Sequence, residues 1–495
     1  MACHDRADLI CPRLGWREGP AGHLRRLGQD LCKRVAFEVQ RQTCPAGAVA
    51  GLVSASGSSA DLSAEMRFRR GRSCEGGAGS EEAHIVMSNQ DHLHVDQQFF
   101  GGVDWGGSFH QLCVLNTSGA LVLQQRINHD VAGLRLLAAR IADLGALVSV
   151  AIERGEGLLV EFLHTLPTVT LYCVSPKISA RARERYRLSA SKSDIFDAFV
   201  LADTLRHEHR RWRPLSRPSA LTAELQAVSR DRQRVLHAKV ACESRLRAVL
   251  ETYYPAPLHL FSALDRDITL EFIRAYPTPD QARHIKTGRM AAFCDRQHYS
   301  GRTNPQVLVD RLIPHLLSAT DGTTAGKSFA ARLFAEELRL HTDHLRAFDR
   351  RIDQLLELHP DAPIFLSFPG IGPIVAATLI SEMGEDRDRF PTVDVLLAET
   401  GLAPVTKASG RTRQVRFRYA ANRRMRHVID WWVFVASRED PWSQKVYQTA
   451  RARGQGKYRV LRGLGARWMR ILWRCWTSRT SYNPERHPRP ELLSA

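Results

Sequence analysis

"FFGGVDWGGSFHQLCVLNTSGALVLQQRI", residues 99–127, is the stretch on which the fold turns. It reads as three short strands, 99–105, 109–115 and 120–127, with Asn-Thr-Ser-Gly as the turn before the third. One residue stands out. Asp104 lies in the first apolar strand, where a carboxylate is costly unless it is paired or holds a metal. Two readings are open for it here: a polar residue at a strand end, or the first ligand of a metal site.

Downstream the pattern continues cleanly. Residues 130–145 carry apolar positions at helical spacing and end in glycine. Residues 146–153 read as a strand, 156–166 as a helix, 168–176 as a strand and 193–208 as a helix. Three meandering strands followed by alternating helices and strands is the order of a ribonuclease H-like α/β domain, here residues 87–215. The strand 146–153 ends in another acid, Glu153. The helix after it carries Asp194 and Asp197, three apart and so on one face, where like charges repel unless a cation bridges them. Singly, each acid suits a cap, a turn or a solvated surface. Together, Asp104, Glu153, Asp194 and Asp197 form a set able to hold two Mg2+ ions. Such a pair stands roughly 3.5–4 Å apart and acts on the attacking and leaving oxygens of a phosphodiester.

The bulk properties point the same way. The 495 residues are 44% hydrophobic, enough for two or three domains with real cores. A formal net charge of +18 calls for a polyanionic partner. No stretch approaches the roughly 20 apolar residues of a membrane span, and the first residues lack the plan of a secretory signal. Ten cysteines with no C-x-x-C argue against a zinc ribbon or a disulfide scaffold and for a reducing cytoplasm, with the nucleoid as the place of action. Residues 1–86 hold five of those cysteines and Gly/Ser/Ala-rich runs with poor periodicity. They read as a poorly ordered leader, with Met87 as an alternative start and a small accessory domain as the other reading.

Residues 216–360 read as a helical region in which two long polar-apolar stretches, 220–253 and 330–358, pair as a coiled-coil arm; two ordinary surface helices are the alternative. A C-terminal domain spans 361–480, and 481–495 is a disordered tail. That domain opens with Pro-Gly-Ile-Gly-Pro at 369–373, a turn into an apolar helix of the helix-hairpin-helix kind, which aims backbone N–H groups at phosphate. Residues 405–480 contain 19 Lys/Arg against 3 Asp/Glu, and six of the nine tryptophans. Arginines interleaved with Phe417 and Tyr419 suit single-stranded or distorted nucleic acid, with charge for phosphates and rings for bases. The candidates for that contact are Lys192, Lys407, Arg411, Arg413, Arg416, Arg418, Arg423, Arg424 and Arg426. Trp431 and Trp432 are expected to pack in a core.

From about residue 99 to about 477 the sequence resembles the DEDD-type insertion-sequence transposases described as bridge-RNA-guided recombinases. "GGVDWGGSFHQLCVLNTSG" resembles the family's first strand and hairpin, and "AIERGEGLLVEFL" its glutamate motif. "VSPKISARARERYRLSASKSDIFDAFVLADTLR" is similar to its long third motif, with Tyr186, Ser189, Lys192, Asp194 and Asp197 matching. "FPGIGPIVAATLISEMG" and "GLAPVTKASGRTRQVRFRYAANRRMRHVI" resemble its C-terminal transposase domain. The extra leader and "ERGEG", where a proline often follows the glutamate, depart from the pattern. The resemblance implies a Holliday-junction-resolvase-like domain supplying Asp104, Glu153, Asp194 and Asp197 as metal ligands. It implies a serine nucleophile, here Ser409, with Lys407, Arg411 and Arg413 around it. It also implies Mg2+, donor and target DNA, an element-encoded guide RNA, and a homo-oligomer, dimer or tetramer. Two alternatives remain: a structure-specific endonuclease using water, and a non-catalytic domesticated nucleic-acid-binding protein.

Overall fold

The computed structural model describes residues 84–85, 98–186 and 193–486; the leader reading, the end of the tail, Ser189 and Lys192 lie outside the described residues. The described residues divide into two compact units, one ending at Ser219 and the other beginning at Ala220.

The first unit is built on a mixed sheet. Its strands are β1 (Gln98–Trp105), β2 (Phe109–Leu115), β3 (Leu121–Asn128), β4 (Leu147–Ile152) and β5 (Val169–Cys173). The order is β3-β2-β1-β4-β5, with His84–Ile85 pairing antiparallel at the β3 edge. β1, β2 and β3 form an antiparallel meander, and β4 and β5 run parallel to β1. Helices α1 (Val131–Ala142), α2 (Leu158–Leu163), α3 (Pro176–Arg183) and α4 (Asp194–Glu208) complete the unit.

Period-two alternation sorts β1 between two layers. Phe99 and Val103 face a core with Leu137 and Ile141 of α1 and Leu159 and Leu163 of α2. Phe100 points the other way, to Leu201 and Leu205 of α4. Both faces are covered, which is why β1 reads as an unbroken apolar run. The Gly101-Gly102 pair has a local cause. A Cβ on Gly102 would lie 2.1 Å from Ala198 O and 2.5 Å from Ala202 N, so only glycine lets α4 lie directly on the strand.

The second unit begins with α5 (Ala220–Tyr253), which pairs antiparallel with α6 (Asp321–Leu358). Arg245–Glu337 at 3.0 Å and Cys242 Sγ to Phe334 O at 3.4 Å mark the register. Between them, short helices from Pro257 to His315 enclose a core with Tyr253, Tyr254, Phe261, Phe272 and Phe293. Sequence reading treats that stretch only as part of the arm.

The longer helices that follow are α7 (Pro373–Met383), α8 (Arg423–Glu439), α9 (Pro441–Ala452) and α10 (Lys457–Ser478), with the hairpin β6 (Val405–Ser409) and β7 (Thr412–Arg416) between α7 and α8. Trp432, Trp468 and Trp476 are fully buried in this core, and Trp431 packs on its edge. Trp432 Nε1 donates to Pro369 O at 2.9 Å, and Gly370, at φ +77°, lies against the α8 backbone at Ala436. The Pro-Gly-Ile-Gly-Pro turn is therefore braced on α8, with α7 starting at Pro373 behind it. No helix among the described residues is long and apolar enough to cross a membrane.

Candidate active site

Strand register assembles the acidic end of the first unit. β1 and β4 are parallel neighbours, with Gly102 opposite Ala151 and Val103 opposite Ile152. Asp104 and Glu153 are the next residue of each chain after this last pair. Asp104, in β1, shares the face of Phe100 and Gly102, the face α4 covers. α4 runs antiparallel to β1: Leu205 packs near Phe100, and Ala198 and Ala202 lie over Gly102. Continuing that register brings the first turn of α4, with Asp194 and Asp197, over the Asp104 end. Ser193 caps this turn, its hydroxyl accepting from Phe196 N at 3.3 Å. Asp194 is exposed and Asp197 is buried.

Two of these carboxylates already have partners from α3. Arg183 Nη1 donates to Asp197 Oδ1 at 2.8 Å. Ser179 Oγ donates to Glu153 Oε1, and also lies 3.1 Å from Pro176 O. Among the described residues, no three His, Cys, Asp or Glu side chains form a group that could hold a metal ion. The donor set is all carboxylate oxygen, which suits a hard divalent cation. The four acids expected to hold metal are therefore not gathered into one ligand group, and α3 supplies a guanidinium and a hydroxyl to two of them.

Sequence reasoning missed a further acid. Asp203 of α4 is buried and accepts from Arg206 Nη2 at 2.6 Å, Arg206 Nε at 2.9 Å and the Tyr186 hydroxyl. Burial pushes its carboxyl up, but the hydrogen bonds from Tyr186 and Arg206 outweigh this and hold it below its ordinary range. Burial, then the bond to Asp203, raises the Tyr186 phenol to about 12. Tyr186 also packs edge-on to Phe196 and Phe199. Asp203 thus fixes the chain just beyond α3 against α4. The signal was available: an aspartate on the buried side of an apolar helix needs a cation, and Arg206 follows at i+3.

On the sheet's other face Trp105 packs against His110, His129 and a cation–π partner, Arg154. His110 Nε2 and His129 Nδ1 are 2.8 Å apart, so the two rings share one proton between them. Burial, then His129, pushes the His110 pKa down to about 4.

In the second unit Ser409 lies at the tip of the exposed β6–β7 ribbon, beside a two-residue turn with Gly410 at φ +54°. Pairing of Lys407 with Gln414 and Ser409 with Thr412 puts Lys407, Ser409, Thr412, Gln414 and Arg416 on one face. Ala408, Arg413, Thr406 and Val415 share the opposite face. Of the cations expected around Ser409, Lys407 shares its face and Arg413 does not. Arg411 forms the turn.

The arginines after the ribbon divide into two kinds. Arg411, Arg413 and Arg416 are exposed. Arg418 Nε donates to Ala403 O at 3.1 Å, and Arg426 Nη2 to Arg418 O at 2.6 Å. Arg424 Nε donates at 2.6 Å to Glu382, which also takes Arg230 Nε at 3.0 Å and Asn422 Nδ2 at 2.8 Å. Burial would raise the Glu382 carboxyl, but Arg230 and Arg424 together hold it below its ordinary value. Arg424 and Arg426 therefore tie α8 to its surroundings. Arg423 joins Glu399, Ala420, Ala421, Asn422 and Arg424 in lining a shallow cleft of about 480 Å³. Arg426 and Arg462 lie over the Phe417 ring at 4.7 and 5.2 Å, whereas Tyr419 is 81% exposed.

An α/β unit with acids at one end of its sheet, followed by a mostly helical basic unit, is the build of an enzyme acting on a polyanion. Comparison with known proteins specifies which. A family profile described as a transposase, of the DEDD kind found in IS110 elements, matches residues 101–255, and the profile "Transposase IS116/IS110/IS902 family" matches residues 362–448. The chain is 32% identical over 409 residues to the mini-circle protein for IS117 of Streptomyces coelicolor, covering 80% of this chain and 98% of that one. It is 28% identical to the 42 kDa protein of insertion element IS900 of Mycobacterium paratuberculosis, covering 78% and 98%. It is 26% identical to the 43.6 kDa protein of IS110 of Streptomyces coelicolor, covering 78% and 96%. The chain belongs to the IS110-type family of DEDD transposases and is a DNA transposase/recombinase.

Proposed function

We propose that this transposase cuts and rejoins DNA through Ser409, with Asp104, Glu153, Asp194 and Asp197 as its metal-holding acids. What supports the acid assignment is the register: Val103 pairs with Ile152 on adjacent parallel strands, and Asp104 and Glu153 are the next residue of each chain. The strand order β3-β2-β1-β4-β5 supports a ribonuclease H-like reading of residues 87–215, with 216–360 as a helical arm and 361–480 as the C-terminal transposase domain. Asp104, Glu153, Asp194 and Asp197 are the residues that would hold a hard divalent cation such as Mg2+, which when bound would neutralise charge at the scissile phosphate.

The chain's own groups carry the rest. Ser409 Oγ attacks phosphorus and loses its proton as the bond to the leaving strand breaks and the departing oxygen takes up a proton. The resulting phosphoserine ester keeps the energy of the phosphodiester, so strands rejoin without ATP. Lys407, on the Ser409 face, and Arg416 behind it stabilise charge on the non-bridging oxygens. Arg411, Arg413 and Arg423 contact the backbone, and Tyr419 offers a stacking surface to an unpaired base of the guide RNA or of DNA. The active form is a homo-oligomer.

Asp104→Asn tests the acid assignment. It should abolish divalent-metal-dependent strand exchange and leave DNA affinity within about twofold of wild type, because it removes one carboxylate far from the basic ribbon in sequence. Wild-type exchange by this variant would refute the assignment.

A further inference from the structure

α10 contains no Asp or Glu. One side of it is apolar, with Leu464, Trp468, Leu472 and Trp476 in the core. The other side is a row of arginines. Arg459, Arg467, Arg470 and Arg474 are exposed, and at about 100° per residue they fall within roughly 80° of helical arc. Among the described residues none of the four has a carboxylate partner; Arg470 Nη1 donates to Ala466 O at 3.2 Å, on its own helix. Arg462, off the row, is engaged on the Phe417 ring instead. Arg467, Arg470 and Arg474 stand three and four residues apart, where like charges destabilise a helix. At the middle of the row is Gly463, exposed, and a Cβ there would meet nothing within 4 Å. Glycine inside a helix is less stable than alanine, and no neighbour in the fold calls for it at this position. Gly465 is the contrast: its Cβ would lie 3.3 Å from Val433 Cγ2, so packing accounts for it.

We propose that the exposed row of α10 is a docking surface for the sugar–phosphate backbone of duplex DNA, which approaches most closely at Gly463. The two features that weaken the free helix both become favourable against a polyanion. Phosphates neutralise the repelling guanidiniums, whose planar forks match phosphate oxygens in pairs. The bare glycine lets the backbone settle between Arg459 and Arg467 where any side chain would hold it off. A row about 22 Å long faces on the order of six base pairs of duplex. The chain is a DNA transposase, so the polyanion is DNA. Contacts of this kind position the duplex and carry no sequence information. The surface shares no residue with the β6–β7 ribbon, and it depends neither on Ser409 nor on the four acids.

The experiment follows binding of full-length protein to a labelled DNA duplex of arbitrary sequence by fluorescence anisotropy over a salt series, with an RNA hairpin as the second probe. Changing Arg459, Arg467, Arg470 and Arg474 together to Gln should lower the slope of log affinity against log salt by roughly 3–4, at about 0.9 per lost phosphate contact. Gly463→Gln should raise the melting temperature by about 1–4 °C, because a good helix former replaces glycine on an open face. It should nonetheless weaken DNA binding by about tenfold, the worth of one charge-assisted hydrogen bond held out of reach. A purely structural role for Gly463 cannot move stability and affinity in opposite directions. Wild-type affinity and slope in both variants would overturn the proposal, and a loss confined to the RNA hairpin would overturn the assignment to DNA. If the fourfold variant does not fold, Gly463→Gln decides alone: a higher melting temperature with wild-type DNA affinity refutes the surface.

Discussion

Replacing Gly102 with alanine sets a single methyl group against the backbone of α4. Its Cβ would lie 2.1 Å from Ala198 O, 2.5 Å from Ala202 N and 2.9 Å from Leu201 Cβ. Ordinary separations are roughly 3.5 Å, so α4 has to retreat by ~1 Å. The obstacles include backbone atoms, which no side-chain rotation relieves. Overpacking of this kind costs about 1–3 kcal/mol, and the upper end applies here. At roughly 2–4 °C per kcal/mol for a unit of this size, the melting temperature should fall by about 6–12 °C. The retreat also carries Asp194 and Asp197 away from Asp104 and Glu153, and ~1 Å of misplacement costs on the order of 100-fold in rate. The neighbouring Gly101→Ala is the control. Its Cβ meets Val150 Cγ2 at 3.2 Å, a side-chain methyl able to give way. It should stay within about 1 kcal/mol of wild type and keep its activity. Thermal unfolding followed by circular dichroism and a strand-exchange assay measure both. Equal stability and activity in the two variants would refute the close packing of α4 on β1.

Other outcomes follow from single groups. Glu382→Gln leaves Arg230 and Arg424 facing one another without their anion and should cost about 3–5 kcal/mol in chemical denaturation. Because the folded Glu382 carboxyl is depressed, its stabilisation is present above the ordinary carboxylate pKa and is lost as pH falls through the depressed value; the pH dependence of melting should show this loss and Glu382→Gln should lack it. His110, at about 4 against an ordinary 6.5, resists protonation in the fold, so stability should drop as pH falls from 6.5 toward 4, and His110→Leu should flatten that drop. Changing Arg411, Arg413 and Arg416 together to alanine should reduce the slope of log affinity against log salt by roughly 0.9 per lost phosphate contact without moving the melting temperature. Arg424→Ala should do the reverse. Lys407→Ala should slow cleavage more than Arg413→Ala, because only Lys407 shares the Ser409 face.

The sheet was legible because both of its signals are local. Period-two alternation and the Asn-Thr-Ser-Gly turn mark the meander, and Asp104 and Glu153 each stand where an apolar strand runs out. The helical pairing of 220–253 with 321–358 was legible from apolar spacing, although α6 begins nine residues before the stretch read from sequence. The compact helical insert between them was not, since its short helices owe their stability to a shared core rather than to their own periodicity. The basic region misled in one respect. Arg423, Arg424 and Arg426 look alike in a row, yet Arg424 is distinguished by Glu382, 42 residues away, and Arg426 by two backbone carbonyls. Likewise, nothing local in "SPKISARARERY" tells which of its cations meets Asp197. Ser409 was read in a basic loop; strand pairing instead puts it at the end of a ribbon, and pairing alone decides which side chains share its face.

The most direct test of the central claim is to trap the cleavage product on a DNA substrate nicked near the cut, so that the released strand diffuses away and rejoining fails. Wild type should yield a protein–DNA adduct that survives denaturation and disappears on protease treatment, and Ser409→Ala should yield neither adduct nor cleavage. Equal cleavage by both proteins with no adduct would contradict the serine route and make water the nucleophile.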